Sequence, residues 1–366
     1  MIETPLIETP LIETPLVMPG PWTRQAREQA AAAEARDAFI RYFRKAVKVR
    51  NWTPWDDLPL AEMAARGHLL SEDTVTIIEA YLGVEDYVGD YVEEGLHLCR
   101  GQRERRNLQL AWGMEESKHA ESWELVLLHS GRRTPAQLAA YRDRVAEHHW
   151  RGREMHAGLD TPLGVACYAM VQERATYFNY DEMRKRIRTE YGLPEGATAL
   201  ERERGQQIGA AGAFKTVATD EIAHHGVFLE LVRIYLRYLP QDTLEALSTV
   251  LGGFTMPALA LIPNAEALVE AMGRTRLHTP MKQVRHVNNP ILETLGLHNR
   301  RALERAVQAS KLLPAGLGPE HVVLGRSGEF VLSMTPDAIV QAGEVSVLAA
   351  EAAPRRPELA IVAAAS

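Results

Sequence analysis

Two short segments of this 366-residue chain combine residue types that hold metal ions: Glu115-Glu116-Ser117-Lys118-His119 and Asp220-Glu221-Ile222-Ala223-His224. Each contains Glu-x-x-His inside a helical pattern, and residues three apart on an α-helix lie one turn above each other on the same face. One turn therefore aims a carboxylate oxygen and an imidazole nitrogen at a single point. A lone Glu-x-x-His is common on helix surfaces, whereas two copies, each preceded by a further acid, form a repeat. Carboxylates with imidazoles make a hard, mainly oxygen donor set that suits iron or manganese better than zinc or copper. Two helices giving Glu plus His and two more giving a single Glu would build a dinuclear site in the core of a four-helix bundle.

Burial and distance select the two single glutamates. Glu85 shares its helix face with Ile78, Tyr81, Leu82, Val88, Gly89 and Val92, all apolar or small apart from the tyrosine hydroxyl. An acid in such a stripe is costly unless paired or metal-bound. Glu79, facing Glu72, Thr76 and Asp86, reads as solvated. Glu173 repeats the Glu85 setting, among Ala166, Ala169, Met170, Thr176, Tyr177 and Tyr180. In a helical hairpin, residues at one height are equally far from the turn. The midpoint of Glu85 and Glu116 falls between Arg100 and Gly101, and that of Glu173 and Glu221 at Ala197, beside Gly192-Leu193-Pro194-Glu195-Gly196. Glu115 and Asp220, four residues before the histidines, also reach this face, and His225 stands four after Glu221. The three-residue spacing is preferred because it matches the bundle pattern.

Gln172-Glu173-Arg174-Ala175-Thr176, the segment from Trp112 to His119, and Val84-Glu85-Asp86 before the first turn resemble the soluble acyl-[acyl carrier protein] desaturases, over roughly Trp52 to Tyr238. The resemblance implies an all-α fold with a ferritin-like four-helix bundle core. It implies two iron ions held by Glu85, Glu116, His119, Glu173, Glu221 and His224, with Thr176 on the oxygen-binding side. The implied reaction is oxygen-dependent desaturation of an acyl chain on acyl carrier protein, with electrons from a ferredoxin-type donor, in a homodimer. This chain departs from the family in Ser117-Lys118 and Ile222-Ala223, where members often carry Asn-Arg or Lys-Arg, and in a longer second hairpin. Those departures bear on substrate rather than on ligands. Hydroxylation or N-oxygenation of a carrier-bound or free metabolite keeps the same centre, and a ferritin-like iron-binding protein is the non-enzymatic alternative.

The elements that must position these residues read as helices at about 71–99, 103–130, 162–190 and 203–238. Ser71 with Glu72 and Asp73, and Thr161-Pro162, are starts; Gly131 with Pro135, and Leu239-Pro240, are stops. An Ala-rich helix is expected from Thr23 to Val49, an extended connector at 52–59, and a charged helix over 135–150. His148, His149 and His156 there read as surface or supporting residues. Helices at 244–251, 264–272 and 291–312 pack outside the bundle. Val322-Val323-Leu324 and Phe330-Val331-Leu332 flank Gly325-Arg326-Ser327-Gly328 as a small C-terminal β-hairpin. Residues 2–16 are three tandem copies of Ile-Glu-Thr-Pro-Leu, in which a proline every fifth residue prevents a helix. The expected organisation is a disordered extension at 1–22, a helical catalytic domain at 23–315, and the hairpin with a flexible tail at 316–366.

A hydrophobic content of 46% supplies a sizeable core, and the net charge of −7 argues against nucleic acid as a partner. Arg36, Arg41, Arg44, Lys45, Lys48 and Arg50, with Arg100, Arg103, Arg105, Arg106, Arg132 and Arg133, form a local basic surface on which an acidic carrier protein would dock. Cys99 and Cys167 lack metal-type spacing and read as reduced, buried thiols of a cytoplasmic protein. No apolar run is long enough for a membrane span, and the N-terminus lacks a secretory pattern.

Overall fold

The structure is a computed structural model and describes residues 22–156, 158–314, 316–334 and 358–362. Its frame is made by ten helices of eleven or more residues. They are α1 (Arg24–Val49), α2 (Glu72–Glu85), α3 (Val88–Leu98), α4 (Arg103–His129), α5 (Pro135–Val145), α6 (Pro162–Glu190), α7 (Gly209–Tyr238), α8 (Pro240–Gly253), α9 (Ala265–Thr275) and α10 (Arg300–Ser310). Local chemistry sets several boundaries. The Ser71 hydroxyl accepts from the Thr74 N–H at the start of α2, and Thr161 does the same for Gly164 ahead of Pro162. Thr134 with Gln137 forms a reciprocal capping box before α5.

The four-helix core consists of α2 continued by α3, then α4, α6 and α7. Helices α2 and α4 pack together as the first hairpin, α6 and α7 as the second, and small buried residues such as Ala166, Ala169, Ala210 and Ala213 line the second pair. Helix α1 lies across both α4 and α7, the two helices that carry Glu-x-x-His. Helix α9 covers α2, and a π-helical turn at Gln283–Asn288 rests on α6.

The expected helix over 71–99 is two helices, broken at Asp86-Tyr87 directly after Glu85. One contact remote in sequence and one within the segment hold the break. Arg142 grips both oxygens of Asp86 at 2.9 and 2.8 Å, and the Tyr91 hydroxyl donates to the Val84 carbonyl at 2.8 Å. The fourth helix begins at Gly209, after a short helix at Ala199–Arg204, and the 135–150 helix stops at Val145. The 291–312 expectation divides at Gly296, whose φ of +89° is left-handed.

Strands β1 (Val322–Leu324) and β2 (Phe330–Met334) form the expected hairpin in antiparallel register. A third strand, β3 (Glu358–Val362), pairs with β2 where a flexible tail was expected. The Ile-Glu-Thr-Pro-Leu repeat and the rest of the tail lie outside the described residues. Among the described residues, no helix is long and apolar enough to cross a membrane.

Candidate metal centre

The bundle brings all six sequence-derived side chains together, and none is more than 6% exposed. They form two overlapping groups whose ligand-type atoms lie within 4.8 Å of one another: Glu85, Glu116, His119 and Glu221, and Glu116, Glu173, Glu221 and His224. Glu116 and Glu221 belong to both. Each Glu-x-x-His therefore places its glutamate between the groups and its histidine at one end.

His119 Nδ1 lies 3.1 Å from Glu116 and 3.2 Å from Glu221, and His224 Nδ1 lies 2.7 Å from Glu116 and 3.5 Å from Glu173. Several of these close atoms nonetheless lack hydrogen-bond geometry. Glu116 Oε1, Glu173 Oε2, Glu221 Oε1 and His224 Nδ1 are buried with no hydrogen-bond partner among the described residues. Polar atoms buried this way are costly, yet here they converge as ligands around a cation do. Four carboxylates balance two divalent cations, so the donor set fits a dinuclear metal site.

The outer oxygens are pinned by donors from neighbouring helices. Trp112 Nε1 donates to Glu173 Oε1 at 3.0 Å, and the Tyr180 hydroxyl donates to Glu85 Oε1. Glu115 and Asp220 turn to the opposite motif's imidazole instead of joining the inner set. Glu115 Oε2 is 3.3 Å from His224 Nε2, and Asp220 Oδ2 is 3.5 Å from His119 Nε2. Glu115 also accepts from Arg50 through both oxygens, at 3.1 Å each, and from the Tyr42 hydroxyl. Asp220 accepts from Trp52 Nε1 at 2.9 Å and pairs with Lys118 at 3.2 Å. The Glu115 carboxylate behind His224 fixes that ring's tautomer and orientation, while His119 Nε2 has no hydrogen-bond partner among the described residues and meets Asp220 as a nearby charge; both rings present Nδ1 to the centre.

Protons divide unequally inside the cluster. Burial, then the charge of Glu116, pushes Glu85 up to about 8 and raises Glu221 well above the carboxylate range. Burial also acts on Glu116, but His119 and His224 outweigh it and hold that carboxyl down at about 2. Both imidazoles are raised despite burial, chiefly by Glu116 for His119 and by Tyr42 and Glu116 for His224.

Thr176 is buried and lines a cavity of about 230 Å³ that also touches Glu85, Tyr180, Gln172 and Asn179. His225 points away from the centre: its Nδ1 donates to the Met170 carbonyl at 2.8 Å, and burial pulls its pKa down to about 4. His156 is buried against Tyr168 and Thr255, while His148 and His149 are exposed. The basic surface is smaller than its sequence implied. Arg50 is spent on Glu115, Arg105 is buried against Tyr235, Arg132 and Arg133 pair with Glu72 and Glu79, and Arg41 pairs with Glu230. Arg36, Arg44, Lys45 and Lys48 remain exposed on α1. The sequence alone gave Tyr42, Arg50 and Trp52 no place at the centre, because their partners are remote in the chain.

No protein-family profile and no curated protein matches the chain. Among solved structures it is similar to an R2-like ligand-binding oxidase with an anaerobically reconstituted Mn/Fe cofactor, in a glycine-to-phenylalanine mutant. That match has 12% identity over 70% of this chain and 90% of the other, with a TM-score of 0.45. A valine-to-isoleucine mutant of the oxidase, aerobically reconstituted, matches at 13% identity over 70% and 91%, with a TM-score of 0.41.

Proposed function

We propose that the chain is an oxygen-dependent oxidoreductase with two iron ions in the bundle core. Glu85 and His119 hold one ion, Glu173 and His224 the other, and Glu116 and Glu221 are shared. The observation that carries this reading is the convergence of six buried side chains, with inner atoms of Glu116, Glu173, Glu221 and His224 lacking hydrogen-bond partners among the described residues. When bound, a reduced iron pair supplies electrons to dioxygen and the oxidising power to break an unactivated C–H bond.

The chain's own residues do the rest. Trp112 and Tyr180 fix one oxygen of each terminal carboxylate, leaving the other free to face inward. Glu115 and Asp220 orient the imidazoles. Thr176 lines the cavity that Glu85 also lines, and its hydroxyl would hold or pass a proton beside the reacting carbon. The cavity's apolar lining excludes water from the substrate.

In the version framed by the sequence resemblance, the substrate is an acyl chain on acyl carrier protein docked near Arg36, Arg44, Lys45 and Lys48, in a homodimer. Dioxygen would take two hydrogens from the chain, two electrons from a ferredoxin-type donor and two protons from solvent, giving two waters and leaving a cis double bond in the chain. The second version is oxygen insertion into a compact metabolite, by hydroxylation or N-oxygenation. The small volume of the cavity favours it, since 230 Å³ lies below the roughly 300–1,000 Å³ of clefts that take drug-sized ligands.

The test is anaerobic iron loading followed by oxygen, a ferredoxin-type reductant and a panel of acyl carrier proteins and free metabolites, with products weighed. Loss of two hydrogens marks desaturation and gain of one oxygen marks insertion. Iron taken up into mineral with no organic product marks an iron-binding protein and overturns the enzymatic reading.

A further inference from the structure

The cavity beside Glu85 holds polar groups for which the metal chemistry has no use. Tyr81 Oη and Gln283 Oε1 are buried without a hydrogen-bond partner among the described residues, and both residues line the cavity. The Gln283 amide nitrogen donates to Asn288 Oδ1 at 3.1 Å, an orientation that leaves its oxygen as an unused acceptor. His278 lines the same space with Nδ1 3.0 Å from Asn179 Oδ1. An amide oxygen only accepts, so Nδ1 carries the proton and Nε2 is left as an acceptor. Burial, and then the charge of Lys282, keeps this imidazole in its neutral form. Gln283 also opens the π-helical turn at Gln283–Asn288, a backbone geometry that is rare and concentrated at functional sites.

Size and charge narrow the occupant further. No lysine or arginine lines the cavity among the described residues, so an anionic head meets no partner for its charge. Val84, Phe254, Met256, Leu259 and Met272 supply an apolar body site. The volume of about 230 Å³ lies below the roughly 300–1,000 Å³ of clefts that take drug-sized ligands, so the occupant is small. Thr255, Met256 and Leu259 also line an open groove beside this space.

We propose that this cavity is the substrate site for a compact, uncharged molecule with an apolar body and a hydrogen-bond-donating hydroxyl or amino head. An amino head donates to both Gln283 Oε1 and His278 Nε2, a hydroxyl head donates its single proton to one of them, and the body lies toward Glu85 and Thr176. The proposal deepens the oxygen-insertion version of the function and rests on it for chemistry, although binding itself needs only the pocket.

Calorimetric titration of the iron-loaded protein with para-cresol, para-toluidine, heptanol, toluene, octanoate and hexadecanol tests it. At least one of the three small donors is expected to bind tenfold or more tighter than toluene and octanoate, with hexadecanol excluded. Gln283→Leu and His278→Phe should each remove at least tenfold of that preference while leaving the weak toluene affinity. Met272→Trp, which fills the apolar end, should abolish binding of all six with the thermal transition retained. Equal binding of toluene, preference for octanoate, uptake of hexadecanol, or no binding by any of the six overturns the proposal. Metal content measured on the same samples separates the two readings. Two irons with no ligand preference removes the pocket alone, and a preference with no iron removes the metal centre alone.

Discussion

Asp220→Asn should unload one metal ion selectively, because each outer acid serves the histidine of the other motif. Asp220 faces His119 at 3.5 Å, and Glu115 faces His224 at 3.3 Å. The amide keeps an acceptor for Trp52 but turns a donor or a neutral oxygen toward His119, so the imidazole loses the charge that fixes its orientation. Loss of such an outer partner weakens metal binding about 10–100-fold, or about 1.4–2.8 kcal/mol. The loss falls on the group containing Glu85 and His119; Glu173, His224 and both shared glutamates keep their partners. In anaerobic iron titrations at concentrations that fill both wild-type sites, Asp220→Asn is expected to retain one ion. Glu115→Gln is the mirror image, with an added structural cost. It strips Arg50, whose side chain is 9% exposed, of its two-pronged partner and leaves only Asp220 at 3.7 Å. Breaking a buried pair from one side costs about 3–5 kcal/mol, so this variant should also unfold at lower denaturant. Equal weakening of both ions by either variant, or no weakening by both, would refute the crossed pairing.

Three further outcomes test the frame around the centre. Glu201 is buried at the second hairpin, where Arg188 and the N–H groups of Thr198 and Ile208 outweigh burial and hold it down at about 2. Its folded pKa is depressed, so its stabilisation is complete above the unfolded value near 4.5 and is lost as pH falls toward 2. Urea curves should show Glu201→Gln destabilised by about 3 kcal/mol at pH 7, with the gap to wild type closing as pH falls through that window; a pH-independent gap contradicts the ion pair. Gly164→Ala would put its Cβ 1.6 Å from the Gly158 carbonyl oxygen, whereas Gly101→Ala meets open space. The first should lose about 1–3 kcal/mol or more and the second under about 0.5 kcal/mol in the same melts; similar losses would sink the packing argument. Cys99 and Cys167 are free and buried, so a thiol reagent should label neither in the native protein and both after unfolding.

The part of the site that depends on periodicity was legible in the chain. Glu-x-x-His fixes a helix face, an acid in an apolar stripe marks burial, and equal distance from a turn sets the level of Glu85 against Glu116 and Glu173 against Glu221. What stayed hidden depends on contacts between remote segments. Arg36 and Arg50 look alike on one basic helix, yet only Arg50 meets Glu115. The interruption at Asp86-Tyr87 has no glycine or proline of its own to announce it; Arg142 reaches Asp86 from a distant segment, and the Tyr91 hydroxyl just beyond the break takes the Val84 carbonyl. The outer wall of the cavity is drawn from 254–283, a stretch without metal-type residue spacing, and His278 and Gln283 acquire meaning only once they face Asn179 and Glu85 across the space. The short β3 strand lies within an Ala- and Pro-rich stretch of the chain and pairs with β2.

The most direct measurement is the iron content of the chain after anaerobic loading and removal of free metal, for wild type beside Glu116→Ala and Glu221→Ala. Because both glutamates belong to both groups, two ions per wild-type chain and fewer than one in either variant is the expected result. A wild-type chain that retains no iron, or variants that retain as much as wild type, would contradict a shared dinuclear centre.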